Sequence, residues 1–472
     1  MRYNRFLALS CVAAIAVAGV AGAADPWSEN AVSRNIDQRD YTGTLDATRL
    51  GELIEAGEAL FVAKYTTGDG AGRPLATQAI IPTKRKRPVE QAFQRMQGMD
   101  ANACSSCHND PVVGGAGDFS VNVFVSEGFG NADFDSVDPQ FSNERNTNHL
   151  MGAGLVELLA REMSADLQDQ RNQAIRRAKS GGVEHIVRLN SKGVDFGALT
   201  IHPDGIVDLT GLDGIDTDLV IRPFSQKGVM TSLRQFTINA LNDHHGMQAD
   251  ERFGARWTGE ADFDGDGHDR EITVGDVSAL VAWQASRPPP MTRAPENSQW
   301  RSLAGEGRAR FDDFGCADCH RPALPLESLV FSDPGPLDAA GTLRLGEGGE
   351  GAVYDLALLD WAKSLPKDDQ GRVLVPLFGD LKRHKIADRQ IAVLGNELLA
   401  QRFVERDIFM TSELWGIAST APYGHRGDLT TLNEVILAHG GDARESRDRY
   451  ASADEDDRRA LIAFLKTMEI PE

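Results

Sequence analysis

The sequence predicts a mainly α-helical protein of two domains, and three observations carry this prediction. Two Cys-x-x-Cys-His segments, at residues 104–108 and 316–320, each follow a stretch with helical character. The end of the chain has a third helical pattern, in which Leu461, Leu465 and Met468 share one face. Proline residues at 288–290 form a linker between the two halves. We therefore expect one domain over residues 24–287 and a second over residues 288–472.

Composition narrows the class of protein. The chain has 472 residues, of which 41 % are hydrophobic and 25 % charged, so each half can bury a core. The formal net charge is −21. This acidity disfavours nucleic acid as a partner, since phosphate binding needs clustered cations. The one dense basic run, residues 84–87, is followed by Pro88 and predicts a solvated loop.

The first 23 residues have the pattern of a secretory signal. Arg2 and Arg5 precede an apolar stretch at residues 6–20, and Ala21-Gly22-Ala23 offers a small-x-small cleavage site. The apolar stretch is shorter than the roughly 20 residues that a membrane anchor needs. Cleavage after Ala23 removes both arginines and changes the net charge from −21 to −23. We expect a soluble periplasmic protein without a membrane span.

The cysteines point to a cofactor. Cys11 lies in the signal, and the other four form the two motifs: Cys104, Cys107, Cys316 and Cys319. Cys-x-x-Cys-His is the attachment signature of c-type haem, in which two thiols bond to the vinyl groups and the histidine binds iron. A thioredoxin-like dithiol, a four-cysteine zinc site and two disulfides are the alternatives, but none requires a histidine after each pair. We expect two covalent haems, with His108 and His320 as iron ligands.

The remaining elements fit two cytochrome c-like domains, in which a helix precedes the haem segment and a terminal helix packs across it. Residues 57–61 and 305–311 supply the preceding helices, and a capping box at Ser452–Glu455 begins the terminal one. Residues 183–222 alternate short apolar runs with Gly and Asp turns, which predicts a strand-rich excursion in the first domain. A helix follows at residues 230–241.

The second axial ligand of each haem decides between an electron-transfer haem and a reactive one. For the C-terminal haem, His439 is the best-placed candidate. Thr431–Glu434 is a capping box, Gly440-Gly441 closes the helix, and His439 falls on its apolar face. A core histidine, or one stabilised by the helix dipole, would give the same pattern.

For the N-terminal haem the choice is wider. His149 is one candidate, and the pair His244 and His245 supplies another. Adjacent histidines do not share a helix face, so we expect at most one of the pair to point at iron. A haem without a strong second protein ligand is the alternative.

Residues 262–267, with the sequence DFDGDG, resemble the start of an EF-hand loop, with oxygens at positions 1, 3 and 5 and Gly at position 6. Ile272 and Asp276 have the mutual spacing of the loop's end but lie three residues late, which indicates an EF-hand-like loop with an insertion. Four acids without a cation would repel one another, so calcium is expected here. An Asp/Gly surface turn is the alternative. The expected calcium ligands are Asp262, Asp264, Asp266 and Asp276.

The C-terminal part of the chain resembles bacterial di-haem cytochrome c peroxidases, and more closely the related di-haem oxidoreductases. The similar segments are TSELWG at 411–416, APYGHRG at 421–427, TLNE at 431–434 and HGGDA at 439–443. Gly114–Gly117 and the segment from Arg145 to Leu155 also look like this group. The resemblance spans roughly residue 45 to the C-terminus.

The resemblance implies a peroxidase-type oxidoreductase. His439 stands where the peroxidases place the Met ligand of the C-terminal haem, which passes electrons to an N-terminal haem that meets hydrogen peroxide. The sequence departs from the peroxidases at Arg426, which replaces an acid, and it has no clear counterpart of their WDGR segment. A non-enzymatic electron-transfer cytochrome with both irons doubly ligated stays open, as does an oxidase that modifies a partner protein. The acidic charge favours a basic cytochrome or copper protein as electron donor.

Overall fold

A computed structural model describes residues 27–33, 35–72, 102–125, 142–338, 341–347, 350–397, 401 and 403–471. The secretory signal, Cys11 and the basic run at 84–87 lie outside the described residues. Within those ranges, no helix is both long enough and apolar enough to cross a membrane.

The described chain contains helices of about one to eight turns and many short strands. The helices α1 to α10 are Ala47–Val62, Ala153–Gly181, Leu233–Ala240, Asp250–Phe253, Ala255–Thr258, Val274–Ala285, Ser298–Asp313, Leu432–Leu437, Arg444–Ser452 and Glu455–Leu465. The strands β1 to β14 are Gly43–Thr44, Gly117–Val125, Ser142–Thr147, His185–Ser191, Val194–Ile201, Val207–Asp208, Met291–Thr292, Leu324–Leu326, Val330–Asp333, Ala352–Asp355, Val373–Val375, Arg383–Lys385, Ile408–Met410 and Met468–Glu469.

The expectation of a mainly α fold is only partly right. In the described ranges the strands form six small sheets of two or three strands each, so the structure mixes helix and strand. Most strands in the C-terminal half have two to four residues, as in the pairs β8–β11 and β12–β13. A run of three residues is too short to show the period-2 alternation by which strands are recognised in a sequence.

The helix expected before each Cys-x-x-Cys-His segment is present. Helix α1 contains residues 57–61 and begins at Asp46, whose side chain accepts a hydrogen bond from the Arg49 backbone N–H. Helix α7 contains residues 305–311 and begins at Asn297, whose side chain caps it in the same way. Helix α7 ends three residues before Cys316, whereas α1 ends 42 residues before Cys104.

Each of these helices packs closely on a second helix through a glycine. A Cβ atom at Gly57 of α1 would lie 2.0 Å from the carbonyl oxygen of Ala279 in α6. A Cβ atom at Gly307 of α7 would lie 1.9 Å from the carbonyl oxygen of Ala460 in α10. Only glycine permits such a close approach of two helix backbones. The same helix pair thus accompanies both motifs, and α10 packs against α7 as expected of the terminal helix.

The start of α10 differs from the expected capping box. Asp454 is the N-cap, and its side chain accepts a hydrogen bond of 2.8 Å from the Asp457 backbone N–H. Ser452 instead ends α9, and its hydroxyl donates to the backbone carbonyl of Asp448. Aspartate caps a helix as well as serine does, so the helix starts two residues later than the Ser452 pattern predicts.

The strand-rich excursion is confirmed as the antiparallel sheet β4–β5–β6, on which the long helix α2 packs. A turn at residues 203–205 joins β5 to β6, with Gly205 at φ +90°. The apolar run at 218–221 does not form a strand. The helix expected at 230–241 is present as α3, which begins at residue 233 and continues into a π-helical turn, Leu241–His245.

The two halves of the chain are in direct contact. Strand β1 pairs in parallel with β10, and β7 pairs with β14. Arg234 of the first half is buried and donates a hydrogen bond of 2.7 Å to Asp333 of the second half. A division at residues 287 and 288 stays a prediction.

Candidate functional site

A cavity of about 860 Å³ reaches both Cys-x-x-Cys-His segments. Phe61 of α1 lines one end, and Phe311 of α7 lines the other. The cavity wall is mainly apolar and includes eight histidines: His108, His149, His244, His245, His320, His384, His425 and His439. A large apolar cavity with a few directed polar groups is the usual form of a cofactor site.

The two motifs have the same local structure. Cys104–Ser106 and Cys316–Asp318 each form a single 3₁₀ turn. The backbone N–H of His108 donates to the Cys104 carbonyl at 3.0 Å, and that of His320 donates to the Cys316 carbonyl at 2.9 Å. These matched hydrogen bonds hold each histidine directly beside its own pair of thiols.

The geometry does not favour the alternatives to haem. Among the described residues, the four motif cysteines form no disulfide and are half-buried, and burial raises the pKa of Cys104 and of Cys316 to about 12. Among the described residues, the metal-competent cluster that contains a cysteine holds Cys319 alone, with Asp380 and His384. Two distant thiol pairs therefore do not form a four-cysteine zinc site.

At the second motif, two histidines present the same ring nitrogen to the cavity. The Nδ1–H of His320 donates to the Phe378 carbonyl at 3.2 Å, and the Nδ1–H of His439 donates to the Val435 carbonyl at 2.7 Å. Because a carbonyl only accepts, each Nε2 keeps its lone pair. Burial, and next the nearby His439, lowers the pKa of His320 to about 4. These are neutral imidazoles held as metal-ligating histidines are held.

The local sequence explains the position of His439. Thr431 and Glu434 form the expected capping box, which begins α8. The helix ends at Leu437, and Gly441 adopts a φ of +52° that favours glycine. The chain can therefore turn immediately after His439 while its ring stays in the cavity.

Two other histidines of the C-terminal half, His384 and His425, have different partners. His384 Nε2–H donates to Asp380 at 2.8 Å, so its ring is paired with a carboxylate. His425 stacks on Phe409, with ring centroids 4.4 Å apart, and burial lowers its pKa to about 2. Neither has the carbonyl-oriented Nδ1–H that His439 has.

At the first motif, His108 shares the cavity with three other histidines. Burial, and next the charge of His108, lowers the pKa of His244 to about 4. His149 Nε2–H donates to the Trp415 carbonyl at 3.1 Å. His245 Nε2 lies 3.7 Å from the Cys104 sulfur. Both members of the adjacent pair line the cavity, because their segment forms a wide π-helical turn rather than a regular helix.

Two acids in the cavity wall were not among the candidate residues from the sequence. Burial raises the pKa of Asp243 to about 7, and burial likewise raises the pKa of Glu413 to about 7. Asp243 immediately precedes the histidine pair, and Glu413 lies in the TSELWG segment, so proximity to these motifs was the available signal. A carboxyl with a pKa near 7 can hold or release a proton at neutral pH.

Comparison with known proteins gives one family model that matches a C-terminal segment of the chain. Residues 390–468 match the family model described as "Di-haem oxidoreductase, putative peroxidase". The resemblance to the di-haem oxidoreductases is confirmed. No curated protein matches the chain.

Two solved structures are similar to the chain at low identity. One is Kuenenia stuttgartiensis hydrazine synthase pressurised with xenon, at 11 % identity and a TM-score of 0.37, covering 99 % of this chain and 100 % of that one. The other is a MauG-like protein associated with microbial copper homeostasis, at 15 % identity and a TM-score of 0.28, covering 57 % of this chain and 78 % of that one. At these TM-scores neither structure carries an argument about this protein.

The departure from the di-haem peroxidases at Arg426 has a structural counterpart. Arg426 donates to Glu144 at 2.8 Å, so the cation that replaces the acid is paired with an acid from the first half of the chain. Nearby, the buried carboxylate of Glu397 contacts Arg145 at 2.5 Å and Lys227 at 3.2 Å. Sequence reasoning missed Glu397, which lies in an irregular segment without a motif.

The expected calcium residues are only partly brought together. Carboxylate oxygens of Asp262, Asp264 and Asp266 lie within 4.8 Å of one another. Asp276 lies outside this group of carboxylates. It is the N3 residue of the capping box of α6, and its carboxylate accepts hydrogen bonds from Thr273 and from the Ile36 backbone N–H at 2.8 Å. The cap of α6 and the N-terminal segment thus use the carboxylate of Asp276.

Proposed function

We propose that the protein is an exported di-haem c-type cytochrome of peroxidase type. The observation that carries this proposal is the single cavity that reaches two Cys-x-x-Cys-His segments, with a second oriented histidine, His439, at the C-terminal one. The family match supports the coarser description of a peroxidase-like oxidoreductase. Covalent attachment, ligand identity and electron route are our inferences.

We infer that Cys104 and Cys107 bind one haem and that Cys316 and Cys319 bind the other. His108 and His320 would be the proximal iron ligands, each fixed beside its cysteines by the hydrogen bond of its backbone N–H. Haem iron, when bound, supplies one-electron redox chemistry, while the protein sets the ligands, access and proton supply.

The histidines at the two ends of the cavity differ, which suggests that the two haems would have different functions. At the C-terminal end, His320 and His439 each keep an Nε2 lone pair for iron, which suits electron transfer. At the N-terminal end, His149 donates its Nε2–H to the Trp415 carbonyl and is not available as an Nε2 ligand in that tautomer. We infer that electrons enter at the C-terminal haem and that peroxide reacts at the N-terminal haem.

Reduction of hydrogen peroxide to two waters consumes two electrons and two protons. The electrons come one at a time from the external donor. Asp243 is our candidate proton donor, because it lines the cavity with His108 and burial holds its pKa at about 7. Asn242 donates to Asp243 at 2.9 Å and fixes the carboxyl group.

The secretory pattern at residues 1–23 supports export to the periplasm, and the net charge of −21 supports a basic cytochrome or copper protein as the electron donor. Both expectations rest on the sequence and are independent of the cavity.

A non-enzymatic electron-transfer cytochrome is the second candidate function. It is favoured by one observation: His244 and His245 both line the cavity near the first motif, so a second histidine ligand is within reach of that haem. In that case both irons would be doubly ligated and peroxide would have no open position.

Electron paramagnetic resonance of the oxidised holoprotein separates the two functions. The peroxidase-type function predicts one low-spin haem and one high-spin or exchangeable haem, in either the oxidised or the half-reduced protein, together with peroxide-dependent oxidation of a reduced donor. Two low-spin haems in both redox states, with no peroxide turnover, would establish the carrier instead. The variant Asp243→Asn should lower peroxide turnover while leaving both haem spectra unchanged.

A further inference from the structure

Outside the cavity, the loop at residues 262–267 folds around its own acidic side chains. Asp262 accepts hydrogen bonds from the backbone N–H groups of Gly265 at 2.6 Å and Gly267 at 3.0 Å. Asp266 accepts one of 2.8 Å from the His268 N–H. Three carboxylates thereby converge within 4.8 Å. Like charges at this distance repel strongly, although such a cluster alone does not establish a site.

Asp264 supplies an independent observation. Its side chain is 6 % exposed, and its Oδ2 atom has no hydrogen-bond partner among the described residues. A buried carboxylate oxygen without a donor or a cation is costly. The neighbours of Asp264 in the cluster are Asp262 and Asp266, which when ionised can only accept. A bound cation would give this oxygen the partner that it lacks among the described residues.

Glu271 lies near the loop, but outside the group of three aspartates whose oxygens lie within 4.8 Å of one another. Its side chain is 7 % exposed, and burial, followed by the charges of Asp264 and the other two acids, raises its pKa to about 10. Its Oε2 atom accepts a hydrogen bond of 2.7 Å from the Gln248 backbone N–H. A Cβ atom at Gly70 would lie 2.3 Å from Glu271 Cγ, so the chain packs tightly behind this side chain. The Gln248 hydrogen bond and the packing at Gly70 thus hold the Glu271 side chain in place.

We propose that Asp262, Asp264, Asp266 and Glu271 bind one calcium ion. An all-oxygen set rich in carboxylates suits a hard divalent cation, and calcium accepts the irregular geometry that a loop and a separate glutamate provide. Magnesium requires near-ideal octahedral geometry and retains several waters, which a largely buried site does not favour. Transition metals would prefer nitrogen or sulfur ligands, and the cluster has neither.

The ion would connect the loop to a segment that leads to the cavity. Glu271 binds the backbone of Gln248, which lies three residues after His245. Calcium at this position would therefore fix the end of the π-helical turn that carries the histidine pair. The proposal does not depend on peroxidase activity and applies equally to an electron-transfer cytochrome.

The test measures calcium directly on the purified full-length holoprotein. After dialysis against calcium-free buffer, elemental analysis should give one calcium for every two irons. Protein stripped with a chelator should bind calcium in a calorimetric titration and gain melting temperature, because an ion bound only to the folded state stabilises it. Asp264→Asn and Glu271→Gln should each weaken calcium binding at least about tenfold, since calcium affinity follows the number of charged ligands.

Two control variants sharpen the result. Asp269→Asn changes an exposed acid of the same loop and should bind calcium as the wild type does. Asp276→Asn removes a helix-capping acid and should lower the melting temperature with and without calcium, while leaving affinity unchanged. A tenfold loss of affinity in Asp276→Asn would restore the ligand set expected from the sequence and overturn ours.

If the protein binds no cation here, the acidic side chains only repel one another. Asp264→Asn and Glu271→Gln would then relieve this repulsion and should raise the melting temperature. Increased stability in both variants, together with no calcium in the elemental analysis and no heat on titration, would overturn the proposal. Binding of magnesium at equal affinity would leave a cation site but refute its calcium selectivity.

Discussion

The Nδ1–H of His439 donates a hydrogen bond of 2.7 Å to the carbonyl oxygen of Val435, one helical turn earlier in the chain. This hydrogen bond fixes both the tautomer and the plane of the imidazole ring. It is possible because α8 ends at Leu437 and leaves the Val435 carbonyl without a regular helical partner at His439. The Nε2 atom consequently keeps its lone pair and would bind the iron of the haem that we propose at Cys316 and Cys319.

Replacement of His439 should change that haem alone. Imidazole stabilises ferric iron better than a thioether does, so His439→Met should raise the potential by an appreciable part of the roughly 0.8 V range that axial ligands span. The same variant should show a sulfur-to-iron band in the far-red spectrum. His439→Ala should leave the haem high-spin or water-bound. Spectroelectrochemical titration measures both changes.

The matched control for this prediction is His202→Met, which changes a half-exposed histidine of the strand-rich sheet region. It should keep the wild-type potentials and spectra. If the two His439 variants also keep them, another residue binds the iron, and His384→Ala and His425→Ala are the next variants to measure.

Haem attachment gives a second prediction. Cys104→Ala and Cys316→Ala should each remove one thioether bond from one haem, because the two cysteine pairs lie in two separate turns. Total haem content should fall, and the pyridine haemochrome band should shift for the affected haem. A denaturing gel stained for haem peroxidase activity should show covalent haem in the wild-type chain. A wild-type chain without stain would falsify the two-haem interpretation.

Sequence patterns were sufficient wherever the deciding interaction is local. The capping box at Thr431 and Glu434 involves residues three apart, and it begins α8 as expected. The 3₁₀ turn that joins Cys316 to His320 is equally local. These patterns were enough to expect His439 near the second motif.

Sequence patterns did not predict the interactions between distant segments of the chain. Glu397 meets Arg145 and Lys227, which lie in the first half of the chain, and no spacing rule connects them. Asp276 is the converse case, in which a local spacing pattern suggested a role and the tertiary contacts of the side chain differ from it. Its spacing suggests a calcium ligand, but the N-terminal segment at Ile36 and the cap of α6 use its carboxylate instead. In both cases, contacts with distant segments determine the environment of the carboxylate.

Electron donation should depend on salt. The net charge of −21 attracts a basic donor over distances comparable with the Debye length, which is about 10 Å at 0.1 M salt. The second-order rate of reduction by a basic cytochrome should fall as ionic strength rises, and an acidic cytochrome should react more slowly at low salt. Stopped-flow measurements with both donors test this. Rates that are independent of salt would exclude electrostatic docking.

The His384–Asp380 pair should make stability depend on pH. Burial opposes the charge of His384, but the hydrogen bond to Asp380, with a contribution from Cys319, raises its pKa to about 10. A raised folded-state pKa stabilises the protein fully below the unfolded value, near 6.5, and this stabilisation is lost as the pH rises towards 10. Denaturant unfolding of the wild type should weaken over that window. Asp380→Asn should flatten the dependence, whereas a slope that persists in this variant would assign it to other groups.

The last prediction concerns Glu397, whose buried carboxylate contacts Arg145 at 2.5 Å and Lys227 at 3.2 Å. Glu397→Gln keeps the shape of the side chain but leaves two buried cations without their shared anion. Removing one partner of a buried pair costs about 3–5 kcal/mol, because the remaining charge stays desolvated. Denaturant unfolding at pH 7 should show a loss of this size. The matched control is Asp360→Asn, which breaks a pair between Lys363 and an almost fully exposed acid. Exposed pairs contribute about 0–1 kcal/mol, so equal losses in the two variants would mean that solvent reaches the Glu397 cluster.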